Sequence, residues 1–330
     1  MFWRCLQVLL LVSLCGHSSA FDLQGGDRIV VMGNGFAEGM YRHGWLEAAL
    51  QSAHPDKRLT VRNLGWSGDT PSLQPRELNF GSMEEHLTWL EADVIIAAFG
   101  MNESFESEAG IDRFGEKLRD WVRAMQSQEF NGETAPRLVL LSPIAHENLG
   151  PPLPDGRAHN RDLARYTQRM REVAAENRVA FVDLYAPSLA YYAEGHSRPL
   201  TRNGIHPTEY GYWYLTRIIV EQLGLAPQTA VAADAGALQQ LRRAIWDKNW
   251  HFFLRWRPVN MEYIRGRRRE PFGVENFPRE FDTLDAMISA RDAAIQQRAA
   301  EVGGHPWRWT PGERELWETL PPHPDAGVRP

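Results

Sequence analysis

Residues able to do chemistry fall in five short clusters of this chain: Gly33 to Gly39, Gly65 to Thr70, Gly100 to Ser104, Ser142 to Asn148 and Asn203 to Gly211. Between them they hold Glu38, Asp69 and Glu103, Ser67 and Ser104, Asn34 and Asn102, and His146 and His206. An imidazole beside a hydroxyl, with amide donors for a developing oxyanion, performs acyl transfer. Three carboxylates and one imidazole could instead hold a divalent ion. No His-Glu-x-x-His spacing occurs, and acidic residues in glycine-rich loops commonly bond their own backbone amides. We therefore expect no metal and no cofactor. Ser142 to Pro152 is a proline-rich loop in which His146, Glu147 and Asn148 are expected to contact a sugar or another polar ligand.

These clusters need a scaffold, and the hydropathy pattern supplies one. Five β-branched runs, Arg28 to Met32, Leu59 to Leu64, Val94 to Phe99, Leu138 to Leu141 and Val179 to Val182, alternate with stretches of helical period such as Ile111, Phe114, Leu118, Trp121, Val122 and Met125. That alternation predicts a three-layer α/β/α fold with a mainly parallel five-stranded sheet. The last helix of the unit is expected from Glu209 to Leu223, stopped by Gly224 and Pro227. In open α/β sheets ligands bind beyond the carboxyl ends of the strands, where four of the clusters lie.

The chain has 330 residues, 36 Lys and Arg against 42 Asp and Glu, and 43% apolar residues. That composition supports a packed core, and its acidic balance argues against a nucleic-acid partner. Residues 1–20 combine Arg4, the apolar run Cys5 to Leu14 and the small residues Ser18, Ser19 and Ala20, the pattern of a cleaved export signal. Both cysteines fall inside it, so neither disulfides nor Cys-ligated metals are expected in an exported, periplasmic or secreted product. The run is shorter than the ~20 residues a membrane span needs, and none follows.

In order, the clusters resemble the sequence blocks of the SGNH hydrolase superfamily, also called GDSL esterases, whose fold is flavodoxin-like. Gly33-Asn34-Gly35 occupies the place of the Gly-Asp-Ser block. Asn63-Leu64-Gly65-Trp66-Ser67-Gly68-Asp69-Thr70 matches the second block at every defined position, and Gly100-Met101-Asn102-Glu103 the third. Asn203-Gly204-Ile205-His206-Pro207 matches the last, an Asp-x-x-His motif. The resemblance implies a general base at His206 and an oxyanion hole from the Gly65 backbone and the Asn102 side chain. It implies a small-molecule or carbohydrate ester as substrate. Gly68-Asp69-Thr70 looks like a displaced Gly-Asp-Ser motif, but the second block already accounts for it.

Two departures bear on activity. Gly35 stands where the nucleophilic serine belongs and offers no oxygen. Asn203 stands where an aspartate would orient His206; an amide can present either end to the ring, so it neither fixes the tautomer nor stabilises the imidazolium. In a serine protease of another fold, that Asp-to-Asn change costs ~10⁴ in turnover. Ser67 and Ser104 are candidate replacements, and a water in the room left at Gly35 is a second route. Two functions compete: hydrolysis of acyl or acetyl esters at a His206/Asn102/Gly65 site, and a retired relative that binds a carbohydrate.

Residues 1–20, 21–224 and 225–330 thus form a signal, an SGNH-like domain and a helical Trp/Arg-rich extension. The extension is expected to be helical over Gly236 to Phe253 and Thr283 to Glu301, with a basic run at Arg265 and Arg267 to Arg269 and tryptophans Trp307, Trp309 and Trp317. A contact between this arm and a partner protein is a third reading.

Overall fold

The computed structural model describes residues 21–226 and 234–302; the expected signal and Trp307, Trp309 and Trp317 lie outside them. Strands β1 (Arg28–Gly33), β2 (Thr60–Asn63), β3 (Val94–Ala98), β4 (Arg137–Leu141) and β5 (Ala180–Val182) pair in parallel in the order β2-β1-β3-β4-β5. Each corresponds to one apolar run of the sequence. Helices α1 (Gly35–His43), α2 (Trp45–Ala53), α3 (Met83–Trp89), α4 (Ile111–Gln126), α5 (Arg157–Asn177), α6 (Tyr185–Ala193) and α7 (Glu209–Gln222) flank the sheet.

Alternation along the strands splits the core in two. Ile29, Val31, Ile96 and Leu141 pack against α1, α2 and α7, whereas Val30, Met32, Ile95 and Leu140 pack against α3, α4 and α5. The chain runs outward from β1 to β2 and returns to β3 on the other side of β1. Strand order reverses there, and the two strand ends open a crevice.

Past α7 come α8 (Ala235–Trp256), a short α9 (Met261–Ile264) and α10 (Phe272–Val302). The ion pairs Arg255–Asp285 and Arg291–Asp247 show that α8 and α10 run antiparallel. α10 begins eleven residues before the expected Thr283 and runs through Pro278. A proline reads as a helix stop because it lacks a donor, but here flanking residues carry the helix past it. The hairpin lies on α1, α2 and β2. Leu241 and Ile245 enter one core cluster and Phe252 and Trp256 the other.

Polar groups lock this contact. The fully buried Lys248 ammonium donates to Glu47 Oε2 and to the Val61 carbonyl, each at 2.7 Å. Asn249 donates to the Tyr41 carbonyl at 2.9 Å, and Arg62 of β2 donates to Asp292 of α10 at 3.0 Å. Burial pushes the Glu47 carboxyl up and the Lys248 ammonium down, so each charge depends on the other. No helix among the described residues is long and apolar enough to cross a membrane.

Candidate active site

The strand-end crevice is a cavity of about 130 Å³. Its polar lining comes from Asn34, Gly35, Ser67, Gly68, Asn102, Ser142 and His206, and its apolar lining from Phe36, Ala98, Phe99, Met101, Pro143, Ile144 and Ile205. A Cβ on Gly33 would lie 2.1 Å from the Ala98 carbonyl oxygen, so only glycine lets β1 and β3 meet this closely. Asn34 then caps α1, its Oδ1 accepting from the Phe36 N–H at 3.1 Å. Gly35 begins the helix, and the positive end of the α1 dipole faces the cavity.

The missing side chain at Gly35 can be located. A Cβ built there lies 3.2 Å from Ser67 Oγ and 3.8 Å from His206 Nε2. A hydroxyl carried on that Cβ would come within hydrogen-bond reach of His206 Nε2.

The expectation for Asn203 is corrected. Its Oδ1 accepts from the His206 backbone N–H at 3.0 Å and from the Ile205 N–H at 3.4 Å, so the amide oxygen is held inward. That same oxygen lies 3.1 Å from His206 Nδ1. Nδ1 must then carry the hydrogen, which leaves a lone pair on Nε2 toward the cavity. The tautomer is fixed after all; what Asn203 does not supply is negative charge. Burial, then Arg202, hold the His206 pKa below the ordinary histidine value, so the ring is a neutral base at pH 7.

The loop with His206 is anchored by Glu147. This buried carboxylate accepts from the Thr201 N–H at 2.7 Å, the Thr201 hydroxyl at 2.6 Å and the Leu200 N–H at 3.2 Å. Its backbone N–H donates to the Gly204 carbonyl at 2.9 Å. Glu147 is thus a support for the base and not a ligand contact. His146 is turned away from the cavity as well, with Nδ1 3.1 Å from His159 Nδ1, and Asn148 accepts from the Gly150 N–H in its own turn. The expected ligand contacts of His146, Glu147 and Asn148 are not seen, because Ser142, Pro143 and Ile144 are the loop residues at the cavity.

The oxyanion assignment also changes. The Gly65 N–H donates to Asn63 Oδ1 at 2.8 Å, and a Cβ on Gly65 would sit 2.4 Å from the Glu38 nitrogen. Gly65 is a glycine because the loop presses on α1, and it does not line the cavity. Gly68, three residues on with φ +93°, does. Asn102 lines the cavity too, spending one of its two N–H groups on the Asp69 carbonyl at 3.1 Å.

The remaining candidates disperse. Asp69, 1% exposed, takes two hydrogen bonds from Arg76 at 2.8 and 2.6 Å. Glu103 accepts from the Gly100 N–H at 2.9 Å; its other oxygen is buried without a partner, and burial pushes the carboxyl up to about 7. Ser104 is fully buried, donating to the Met101 carbonyl at 2.7 Å and sharing a 2.7 Å bond with His159. None of these three lines the cavity. Glu38 stands behind it: one oxygen accepts from the Ser67 N–H at 2.9 Å and from the Ser67 hydroxyl, and the other accepts from Arg257 at 2.6 Å. Burial raises the Glu38 carboxyl, but these bonds outweigh it and keep it below the usual range.

Arg257, at the end of α8, also lies 3.5 Å above the Trp66 ring. In the sequence this cation is one arginine of the helical Trp/Arg-rich extension. Nothing local signals its role, because it stands 219 residues from Glu38. Gly68 did carry a signal, as a second glycine in a loop that needs only one for its close approach.

The sequence model of the GDSL-like lipase/acylhydrolase family matches residues 26–214, more than half of the chain. The chain belongs to that family. No curated protein sequence matches it. Among solved structures, the GDSL-like fold seen here superposes on "BT4096 a gut microbial diltiazem-metabolizing enzyme" with a TM-score of 0.62 at 12% identity, covering 84% of this chain and 96% of that one. A putative GDSL-like lipase from Parabacteroides merdae gives 0.50 at 16% identity, covering 62% and 99%. Axe2, an acetylxylan esterase from Geobacillus stearothermophilus, gives 0.48 at 19% identity, covering 61% and 95%. At these identities the likeness is one of fold.

Proposed function

We propose that this GDSL-family chain hydrolyses esters of small acyl groups directly with water, without an acyl-enzyme. The carrying observation is the point at Gly35, 3.2 Å from Ser67 Oγ and 3.8 Å from His206 Nε2. A water seated beyond that point, in the room the absent side chain leaves and within hydrogen-bond reach of His206, gives a proton to Nε2 and forms the bond to the carbonyl carbon. The oxyanion takes hydrogen bonds from the second Asn102 N–H and the Gly68 backbone N–H. As the carbon–oxygen bond to the alcohol breaks, the proton on Nε2 passes to the leaving oxygen, which restores the neutral ring. Walls of Phe36, Phe99, Met101, Pro143, Ile144 and Ile205 around so small a cavity favour an acetyl-sized group, on a carbohydrate or other alcohol. Catalysis of this kind, without nucleophile or charged orienter, is expected at ~10³ to 10⁴ over water.

The purified chain assayed on 4-nitrophenyl acetate and acetylated sugars, beside His206→Ala, tests this. We expect slow turnover that His206→Ala abolishes, no initial burst and no labelling by a fluorophosphonate. Equal rates for both proteins refute the base. A labelled Ser67 replaces the water by a covalent route. The uncharged Asn203 favours a second reading, a pocket that binds acetylated sugars without turnover; saturable binding with no hydrolysis would establish it. We also propose export, which a mature N-terminus near residue 21 would support and an uncleaved chain would refute.

A further inference from the structure

The strand-end cavity, of about 130 Å³, has room for an acetyl group, so whatever carries the acetyl must lie outside it, over the rim. Met101 and Asn102, past the end of β3, line one side of that cavity. A 3₁₀ turn, Glu103–Gly110, follows them, and the Phe105 N–H donates to the Asn102 carbonyl at 3.4 Å. Residues three apart stand in line on such a turn, which sets Phe105 about 6 Å along the surface from Asn102. Phe105 is 61% exposed.

A single solvent-facing ring carries no message by itself. This one has a built support behind it. Phe105 stacks on the His159 imidazole, with ring centroids 4.3 Å apart and planes 26° from parallel. His159 is held at both nitrogens, Nε2 lying 2.7 Å from Ser104 Oγ and Nδ1 lying 3.1 Å from His146 Nδ1. Ser104 spends its one hydrogen on the Met101 carbonyl, so its oxygen accepts from His159 Nε2–H, and His159 Nδ1 accepts from His146 Nδ1–H. Burial, then His146, push the His159 pKa down to about 4, so the ring is neutral and these bonds are intact at pH 7. Neither histidine has a part in the chemistry above. With one face of Phe105 covered by a fixed imidazole, its exposed area lies on the other face and the edge.

An aromatic face held in place beside an acetyl-sized cavity suits the apolar face of a sugar ring, whose C–H bonds point at the negative π surface. We propose that Phe105 is the sugar platform of this site: the acetyl group enters the cavity, and the ring that bears it lies on Phe105. The substrate class is then an acetylated carbohydrate and not an ester of a simple alcohol. This rests on the strand-end cavity being an acyl site, but not on the acyl group being turned over there.

Glucose penta-acetate, which offers an acetyl at every ring position, and ethyl acetate, which has no ring, test it. One arm titrates glucose penta-acetate calorimetrically into His206→Ala and into His206→Ala with Phe105→Ala, so that hydrolysis does not enter. We expect the second protein to bind at least about tenfold more weakly, and Phe105→Trp in the same background to restore binding. In the kinetic arm, Phe105→Ala raises KM for glucose penta-acetate at least about tenfold more than KM for ethyl acetate. Equal affinity with and without the Phe105 ring, no binding of the acetylated sugar by either protein, or an equal rise in KM for both esters would each overturn the proposal. No turnover by the parent, with the difference in binding intact, would remove hydrolysis and leave the platform standing.

Discussion

The seam between the helical hairpin and the sheet body, and the cavity above β1 and β3, both gather polar groups, fully buried at the seam in Lys248 and open to solvent at the cavity in His206. They treat them oppositely. At the seam, Lys248 has two short partners, Asn249 and Arg62 have theirs, and the charges are paired, with only Glu47 Oε1 of that group left without a hydrogen bond. In the cavity, His206 Nε2 accepts no hydrogen bond from any described residue and Asn102 keeps an N–H in hand. Hydrogen-bonding capacity consumed within the fold yields stability and specificity of packing. Capacity held back, on side chains that are themselves firmly positioned, is what a substrate can use.

The sharpest way to press that contrast is to restore what the cavity lacks. Gly35→Ser with Asn203→Asp places a hydroxyl and a charge at retained distances. The new Cβ has one contact tighter than van der Waals distance, Ser67 Oγ at 3.2 Å, and touches the His206 ring at 3.8 Å. We expect burst acylation of 4-nitrophenyl acetate and a gain in turnover of up to ~10⁴. A stopped-flow trace without a burst would show that the donors, and not only the nucleophile, have drifted.

At the seam, Lys248→Met strands a buried carboxylate and should cost about 3–5 kcal/mol, read as a lowered midpoint in chemical denaturation. Adding Glu47→Leu should recover most of that loss. Should the single variant prove as stable as the parent, the pair contributes nothing.

Glu103 occupies a middle ground, one oxygen satisfied and one not. Its folded carboxyl titrates at about 7, against 4.5 when unperturbed. Across that window the folded state holds a proton that the unfolded chain has released, so stability falls as pH rises. Glu103→Gln is neutral throughout. It should match the parent at pH 4 and exceed it above pH 7 by up to about 3 kcal/mol. Parallel stability curves for the two proteins across pH would remove the argument.

The smallest effect concerns the His206 ring itself. With its pKa lowered, kcat/KM should rise with pH to a midpoint below 6.5 and then stay level. Asn203→Asp alone should move that midpoint upward by about one unit, because a carboxylate stabilises the imidazolium. A midpoint that does not move would separate His206 from the titration.

Strands and the order of loops were legible because β-branched runs of four to six residues have few alternatives in a chain that alternates with helical periods. His206, Asn102 and Gly35 were legible through spacing in their blocks. Direction was not. Gly65 and Gly68 share one loop, and only the fold shows that the first presses on α1 while the second faces the cavity. The same blindness turned Glu147 into a ligand contact, since a sequence cannot say whether a carboxylate in a stiff loop faces outward or accepts from Thr201 beneath it. Arg257 was beyond reach, because its partner is set by how the hairpin folds back.

That fold-back decides when the pocket comes into being. Glu38, which holds Ser67, leaves the ribosome early, whereas the arginine that steadies it follows more than two hundred residues later. During synthesis the sheet and His206 can be in place while this wall is still half built. A fragment cut to the family-matched residues 26–214 would be caught at that stage. Its Glu38 would face water in place of a guanidinium, and whatever activity it showed would describe an unfinished protein.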